Sequence, residues 1–234
     1  MTKILIIPDI HGRKFWIDAV EKFKDEASDI VFLGDYLDPY AFEGIGKDSA
    51  LKRFKDIIEL AKSNPKVHLL LGNHDWHYIV NLDTCRLDFE NYKEIKDLFA
   101  ENKDLFKIAW SYENYLFTHA GVTRGWLEHV QYYKPDFKPT PECLNDLEPR
   151  FLSEIGYERG GDDRNGGSCL WADIHEHLNY FEDPIENGNI YQIFGHSLSY
   201  PDIDDAYIDE HLAMLDSRRA WILDTDTKKI EAYC

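Results

Sequence analysis

Cysteine is scarce and badly placed for pairing: four residues, Cys85, Cys143, Cys169 and Cys234, lie far apart with no Cys-x-x-Cys spacing. Zinc-finger and dithiol redox readings are therefore weak, and reduced, mostly buried thiols are expected. Basic residues are also short, with 26 Lys and Arg against 44 Asp and Glu and a formal charge of −18. That balance opposes extended nucleic-acid binding, which needs many cations along a phosphate backbone. No apolar run exceeds strand length, so no membrane span is expected. The first such run is cut by Pro8 and Asp9, too soon for a signal-peptide core, and a cytoplasmic setting is expected. Low-complexity segments are missing too, and nothing in the sequence specifies an oligomeric state.

What is present is the composition of a globular protein, 44% hydrophobic and 14% aromatic, long enough for one domain spanning residues 1–234. One design recurs along it. Ile30-Val31-Phe32-Leu33 ends in Gly34 and Asp35, which reads as a buried strand with a carboxylate at its tip. Ile4–Ile7 leads in the same way to Asp9 and His11, and Val67–Leu71 to Asn73 and His74. Tyr115–Phe117 leads to His119, and Tyr191–Phe194 to Gly195 and His196. Five strand-like runs each deliver a metal-type ligand at the same end, where sites form in sheets of alternating α/β proteins.

Between these runs the pattern is helical. A helix is expected from Gly12 and Arg13 through about residue 25, and another from Asp48 or Ser49, as cap, to about Lys62 before Asn64-Pro65. Residues 88–110 read as one or two further helices, and the alternation indicates an α/β core. The segment 123–189, rich in aromatics and holding the stretch Gly160–Gly167, reads as an inserted cap carrying specificity, equally as a helical subdomain. Leu212–Asp216, Ala220–Asp224 and Ile230–Tyr233 read as closing strands of a second sheet.

Carboxylate, imidazole and amide-oxygen donors together suit first-row metals, with manganese the first choice and iron or zinc as alternatives. Asp9 and His11 are two apart, so a bend at Pro8 or Gly12 must bring both to one ion. Asp35 can bridge two divalent ions ~3.5–4 Å apart, with Asn73, His119 and His196 completing the second. A water between the ions would lose its proton near neutral pH and act as nucleophile, and the ions would make the local field positive whatever the net charge. His74, next to a ligand, is better suited to general acid, protonating the leaving oxygen, with Asp38 fixing its tautomer. His68, His77, His129, His175, His177 and His211 carry no ligand-like pattern and are expected to be structural.

Asp9-Ile10-His11-Gly12, Gly34-Asp35-Tyr36-Leu37-Asp38, Gly72-Asn73-His74-Asp75, His119-Ala120-Gly121 and Gly195-His196-Ser197 together resemble the calcineurin-like metallophosphoesterase superfamily. Within it the chain is most similar to the branch of serine/threonine phosphoprotein phosphatases and diadenosine tetraphosphatases, which Leu170-Trp171-Ala172-Asp173 also resembles. The resemblance implies a four-layer α/β/β/α sandwich with a dinuclear centre: Asp9 and His11 on one ion, Asp35 on both, Asn73, His119 and His196 on the other, and His74 paired to Asp38. Leu198 stands where many relatives have a further histidine, as expected for the phosphatase branch. Two departures concern Pro8 and Asp75, which replace a glycine and a glutamate. A third is Pro39, standing where that branch has an arginine that grips the substrate phosphate. Arg164 is the first candidate to replace it, followed by Arg124 and Arg13.

The expected function is therefore phosphomonoester hydrolysis on a small-molecule or phosphoprotein substrate by in-line attack of a metal-activated hydroxide. A phosphodiesterase or nuclease of the same fold is the alternative, and a non-catalytic protein-binding scaffold a further one.

Overall fold

The computed structural model describes residues 2–82, 86–161, 165–179, 190–197 and 206–233. In chain order the first elements are β1 (Lys3–Ile7), α1 (Phe15–Phe23), β2 (Asp29–Phe32), α2 (Lys47–Ser63), β3 (Val67–Leu70), α3 (Asn73–Val80), α4 (Tyr92–Glu101) and β4 (Phe106–Lys107). Then come β5 (Trp110–Tyr112), β6 (Tyr115–Phe117), α5 (Arg124–Tyr133), α6 (Pro141–Asn145), α7 (Pro149–Leu152), α8 (Ile174–Asn179), β7 (Tyr191–Phe194), β8 (Tyr207–Ile208) and β9 (Leu212–Met214). The hairpin β10 (Ala220–Asp224) and β11 (Lys229–Tyr233) closes the series. The chain divides into two compact units, residues 1–107 with 218–234, and residues 108–217. Each holds one sheet and its helices, the mixed α/β composition expected of a metallophosphoesterase.

In the first unit the strand order is β11-β10-β1-β2-β3-β4. β1 to β4 run parallel, which requires crossovers, and α1 and α2 supply two of them. Ile4–Ile7 and Ile30–Phe32 are buried throughout, which is why these strands read as continuous apolar runs rather than alternating ones. α1 buries Trp16, Ala19 and Val20, and α2 a longer stripe including Ala50, Phe54, Ile57 and Ala61, the spacing of one helical face. α2 starts after Gly46 with no side-chain cap, so neither Asp48 nor Ser49 caps it; it stops at Asn64, ahead of Pro65. Phe54, Phe99 and Phe106 pack with tilted rings whose centres are 4.8–6.0 Å apart, and Tyr36 stacks on Phe54 at 5.3 Å.

The expectation that the last three runs form a second sheet holds for β9 alone. β10 pairs antiparallel with β1, and β11 with β10, so the hairpin extends the first sheet. Only α4 and a short 3-10 turn fill the span 88–105, and Trp110 already begins β5.

In the second unit the order is β5-β6-β7-β9-β8, with β6, β7 and β9 parallel. Thr123 caps α5 by accepting from Trp126 N, and Thr140 caps α6 ahead of Pro141. The loop after β6 is pinned by Gln192 of β7, whose Oε1 accepts from Val122 N at 2.7 Å and whose Nε2 donates to Val122 O at 3.2 Å. Among the described residues no helix is long and apolar enough to cross a membrane.

Candidate active site

Because β1, β2 and β3 are parallel, the loops that follow them leave one edge of the first unit's sheet. The backbone turns abruptly there. His11, Asp35 and Asp38 have φ of 43°, 53° and 57°, a left-handed conformation that costs non-glycine residues of order 1–3 kcal/mol each. Cross-loop hydrogen bonds hold it: His11 N donates to Asp35 O at 2.6 Å and Gly12 N to Tyr36 O at 2.9 Å. The bend needed after Asp9 thus falls at His11 and Gly12.

The result is a buried cluster in which one ligand atom each from Asp9, His11 and Asp35 lies within 4.8 Å of the others. The donor set fits a divalent cation for a further reason. His11 Nδ1 lies 2.9 Å from Leu37 O, which can only accept, so Nδ1 carries the proton. Burial holds the His11 pKa well below the ordinary histidine value, keeping the ring neutral. Nε2 therefore presents a lone pair 3.3 Å from Asp35 Oδ2. Two acceptors facing each other out of water repel unless a cation lies between them.

Asp35 is aimed by its neighbours. His74 N donates to Asp35 Oδ1 at 2.9 Å. Gly72 must be glycine for this, since a Cβ there would lie 2.1 Å from Asp35 Oδ1. Asp75 ties the two loops together, accepting from Asp35 N at 2.7 Å, Tyr36 N at 3.1 Å and Gly72 N at 2.8 Å. Asn73, buried, opens α3 beside this knot.

His74 Nδ1 lies 2.9 Å from Asp38 Oδ2, the pairing expected from the sequence. The other oxygen, Oδ1, accepts from the Tyr78 hydroxyl. Burial, and after it the charge of Asp38, pushes the Tyr78 pKa upward, so this hydroxyl stays a donor. On the far side of the ring, Arg86 Nη2 is 2.7 Å from His74 Nε2.

In the second unit His119 and His196 come together, with His119 Nε2 3.1 Å from His196 Nδ1. His196 has φ of 67°, and Arg159 Nη2 fixes its loop by donating to His196 O at 3.0 Å and Ser197 Oγ at 2.9 Å. Arg159 is itself paired to Asp173 at 2.7 Å.

Of the three arginines named for the substrate, Arg164 lies outside the described residues. Arg124 pairs with Glu128 at 2.8 Å along α5. Arg13 is forked onto Glu43 and also donates to Asp9 O at 3.2 Å. Sequence reasoning missed Tyr78 and Arg86. Tyr78 stands four residues after His74 on α3, a spacing that could have flagged it; Arg86 carries no such signal. Among the remaining histidines, His68, His129 and His175 pair with Asp29, Glu154 and Asp173, at 2.7, 3.1 and 2.7 Å.

A family model for calcineurin-like phosphoesterases matches residues 2–200. None of the curated proteins is similar enough in sequence to match. Among solved structures, a cold-active protein-tyrosine phosphatase of a psychrophilic Shewanella species is 14% identical with a TM-score of 0.59, over 99% of this chain and 80% of that one. A second structure of a cold-active protein tyrosine phosphatase gives 14% identity and a TM-score of 0.60, over 99% and 78%. A metallophosphoesterase from Sphaerobacter thermophilus is 14% identical with a TM-score of 0.47, over 99% and 87%. At such identities the likeness to the two phosphatase structures speaks to fold alone. The family match, spanning most of the sequence, decides the matter: the chain belongs to the calcineurin-like phosphoesterase family and is a metal-dependent phosphoester hydrolase.

Proposed function

We propose that the protein is a phosphatase, releasing phosphate from phosphomonoesters of the nucleotide or phosphoprotein kind. The observation that carries this reading is the joint placement of a buried Asp9–His11–Asp35 cluster and an Asp38-oriented imidazole on one loop system. In this reading Asp9 and His11 hold one cation and Asp35 is shared with a second, for which Asn73, His119 and His196 are the ligands. Manganese is the first choice for both, since mixed carboxylate, imidazole and amide donors suit it. When bound, the ions supply positive charge for the phosphoryl oxygens and an activated water for in-line attack.

The chain's own residues do the rest. His74 donates from Nε2 to the leaving oxygen, and Asp38, steadied by Tyr78, holds the ring and its orientation. Asp35 is kept in line by the His74 amide, so the proton donor and the cluster are set by a single turn. Specificity is assigned to the cap-like segment 123–189 within the single domain. A cytoplasmic setting belongs to the same proposal, and the free thiols of Cys143 and Cys169 accord with it.

The test is turnover of an aryl monophosphate against a bis-aryl phosphate, with chelator and then with manganese restored. Preferred hydrolysis of the monoester, abolished by chelator and returned by manganese, is expected. Faster hydrolysis of the diester would make the protein a phosphodiesterase instead. Metal analysis should give two ions per chain.

A further inference from the structure

Arg86 is half-buried, and its guanidinium lies against the imidazole of His74. Nη2 is 2.7 Å from His74 Nε2, Nη1 donates to Asp38 O at 3.1 Å, and Cζ sits 3.9 Å from the centre of the Tyr40 ring. A guanidinium has five N–H donors, of which two are used; the other three have no acceptor among the described residues. Nor does any described carboxylate come within ion-pair reach of it. Arg13, by contrast, is held 2.9 Å from Glu43, which Arg218 also approaches at 3.3 Å. Arg86 is thus a permanent cation held by a ring face and two neutral acceptors, with most of its donors unspent.

Such a planar fork is made for an oxyanion, and in a phosphoester hydrolase the oxyanion at hand is the substrate phosphate. The contact with His74 has its own consequence. An Nε2 that accepts from a guanidinium carries no proton, so the ring's proton is on Nδ1, facing Asp38. In that arrangement His74 has nothing to donate from Nε2.

We propose that Arg86 grips the substrate phosphate and, until a phosphate arrives, covers Nε2 of His74, so that substrate binding itself uncovers this ring nitrogen. This rests on the phosphatase reading above. The exchange is favourable because a phosphate offers the planar fork two charged oxygens in parallel, where the ring offers one neutral nitrogen. Tyr40 stays as the platform over which the guanidinium moves.

The experiment compares the full-length chain with R86A and R86K, each supplemented with manganese. Calorimetry measures orthophosphate binding, and para-nitrophenyl phosphate turnover gives KM and kcat. Diethyl pyrocarbonate modification at His74, read by peptide mass in the absence of phosphate, reports whether Nε2 is covered. R86A should weaken orthophosphate binding and raise KM by about tenfold to a hundredfold. R86K, keeping the charge without the fork, should recover only part. Modification of His74 should be several-fold faster in R86A than in the wild type. Thermal melts establish that each variant is folded, and R86K with R86Q, which retain an aliphatic stem over Tyr40, serve if R86A is not. Orthophosphate affinity unchanged in folded Arg86 variants overturns the grip, and unchanged His74 reactivity overturns the cover. A wild-type chain that binds orthophosphate through Arg86 yet turns over no monoester would sink the phosphatase reading instead.

Discussion

The backbone amide of His74 donates to Asp35 Oδ1 at 2.9 Å, so one residue carries the candidate acid on its side chain and aims the candidate metal carboxylate with its main chain. Chemistry and ligand geometry are coupled through a single peptide unit. A change that shifts this turn should disturb both together.

Replacing Asp35 by asparagine removes one of the two carboxylates of the cluster while keeping its shape. Bound manganese, measured by elemental analysis after desalting, should fall. Turnover of an aryl monophosphate should drop by more than about a hundredfold, beyond what losing an outer hydrogen-bond partner costs. Full metal content and full turnover in this variant would remove Asp35 from the site.

Gly72→Ala tests the close approach of the two loops. The new methyl would meet Asp35 Oδ1 at 2.1 Å and Asp35 N at 2.6 Å, both within a rigid turn. Overpacking of this kind should cost about 1–3 kcal/mol in a denaturant titration and weaken manganese binding at the same time. An alanine accepted with unchanged stability would show that the loops have room to part.

Tyr78→Phe leaves the ring and removes the hydroxyl that donates to Asp38 and accepts from Asp88 N at 2.8 Å. Stability should fall by about 1.5–3 kcal/mol, the loss of a hydrogen bond to a charged group. Because Asp38 then holds His74 less firmly, kcat should fall by about tenfold with little change in KM. A KM effect alone would point to substrate contact rather than to positioning.

Two histidines, His77 buried and His177 half-buried, set an acid limit to stability. Burial pushes His77 and His177 down to about 4 from an ordinary 6.5. The unfolded chain therefore takes up these protons first. Their contribution is intact above about pH 6.5 and is lost as the pH falls toward 4, by as much as ~3 kcal/mol per residue. His177 Nε2 lies 3.0 Å from Ala120 O, an acceptor that a glutamine amide could also reach. His177→Gln should thus narrow the stability gap between neutrality and about pH 5 in urea titrations. An unchanged gap would show that His177 does not titrate differently on unfolding.

The Asp9–His11–Asp35 cluster was legible as a grouping because its members follow apolar runs, and a parallel strand buried on both faces leaves an uninterrupted hydrophobic signature just before its loop. The His74–Asp38 pairing was readable from residue type. The left-handed turns at His11, Asp35 and Asp38 were not, since His and Asp, though commoner there than most non-glycine residues, adopt positive φ too rarely for residue type to announce it. Arg86 escaped notice because its partners, Tyr40, Asp38 and His74, lie 12 to 48 positions away, beyond any periodicity. The assignment of β10 and β11 was hidden for a related reason: short closing strands look alike, and which edge they join depends on a long-range partner.

That edge has a bearing on biosynthesis. β1 lies between β2 and β10, and Thr225 donates to Thr2 across 223 positions of sequence. The strand that leads into Asp9 and His11 leaves the ribosome well before β10, yet gains one flank only after the β10–β11 hairpin has been made. Residues 108–217, contiguous in the chain, have all their strands available earlier. Assembly of the Asp9–His11–Asp35 pocket should therefore finish late, after translation has passed the hairpin, and uptake of cations by nascent chains should lag behind compaction of the middle segment.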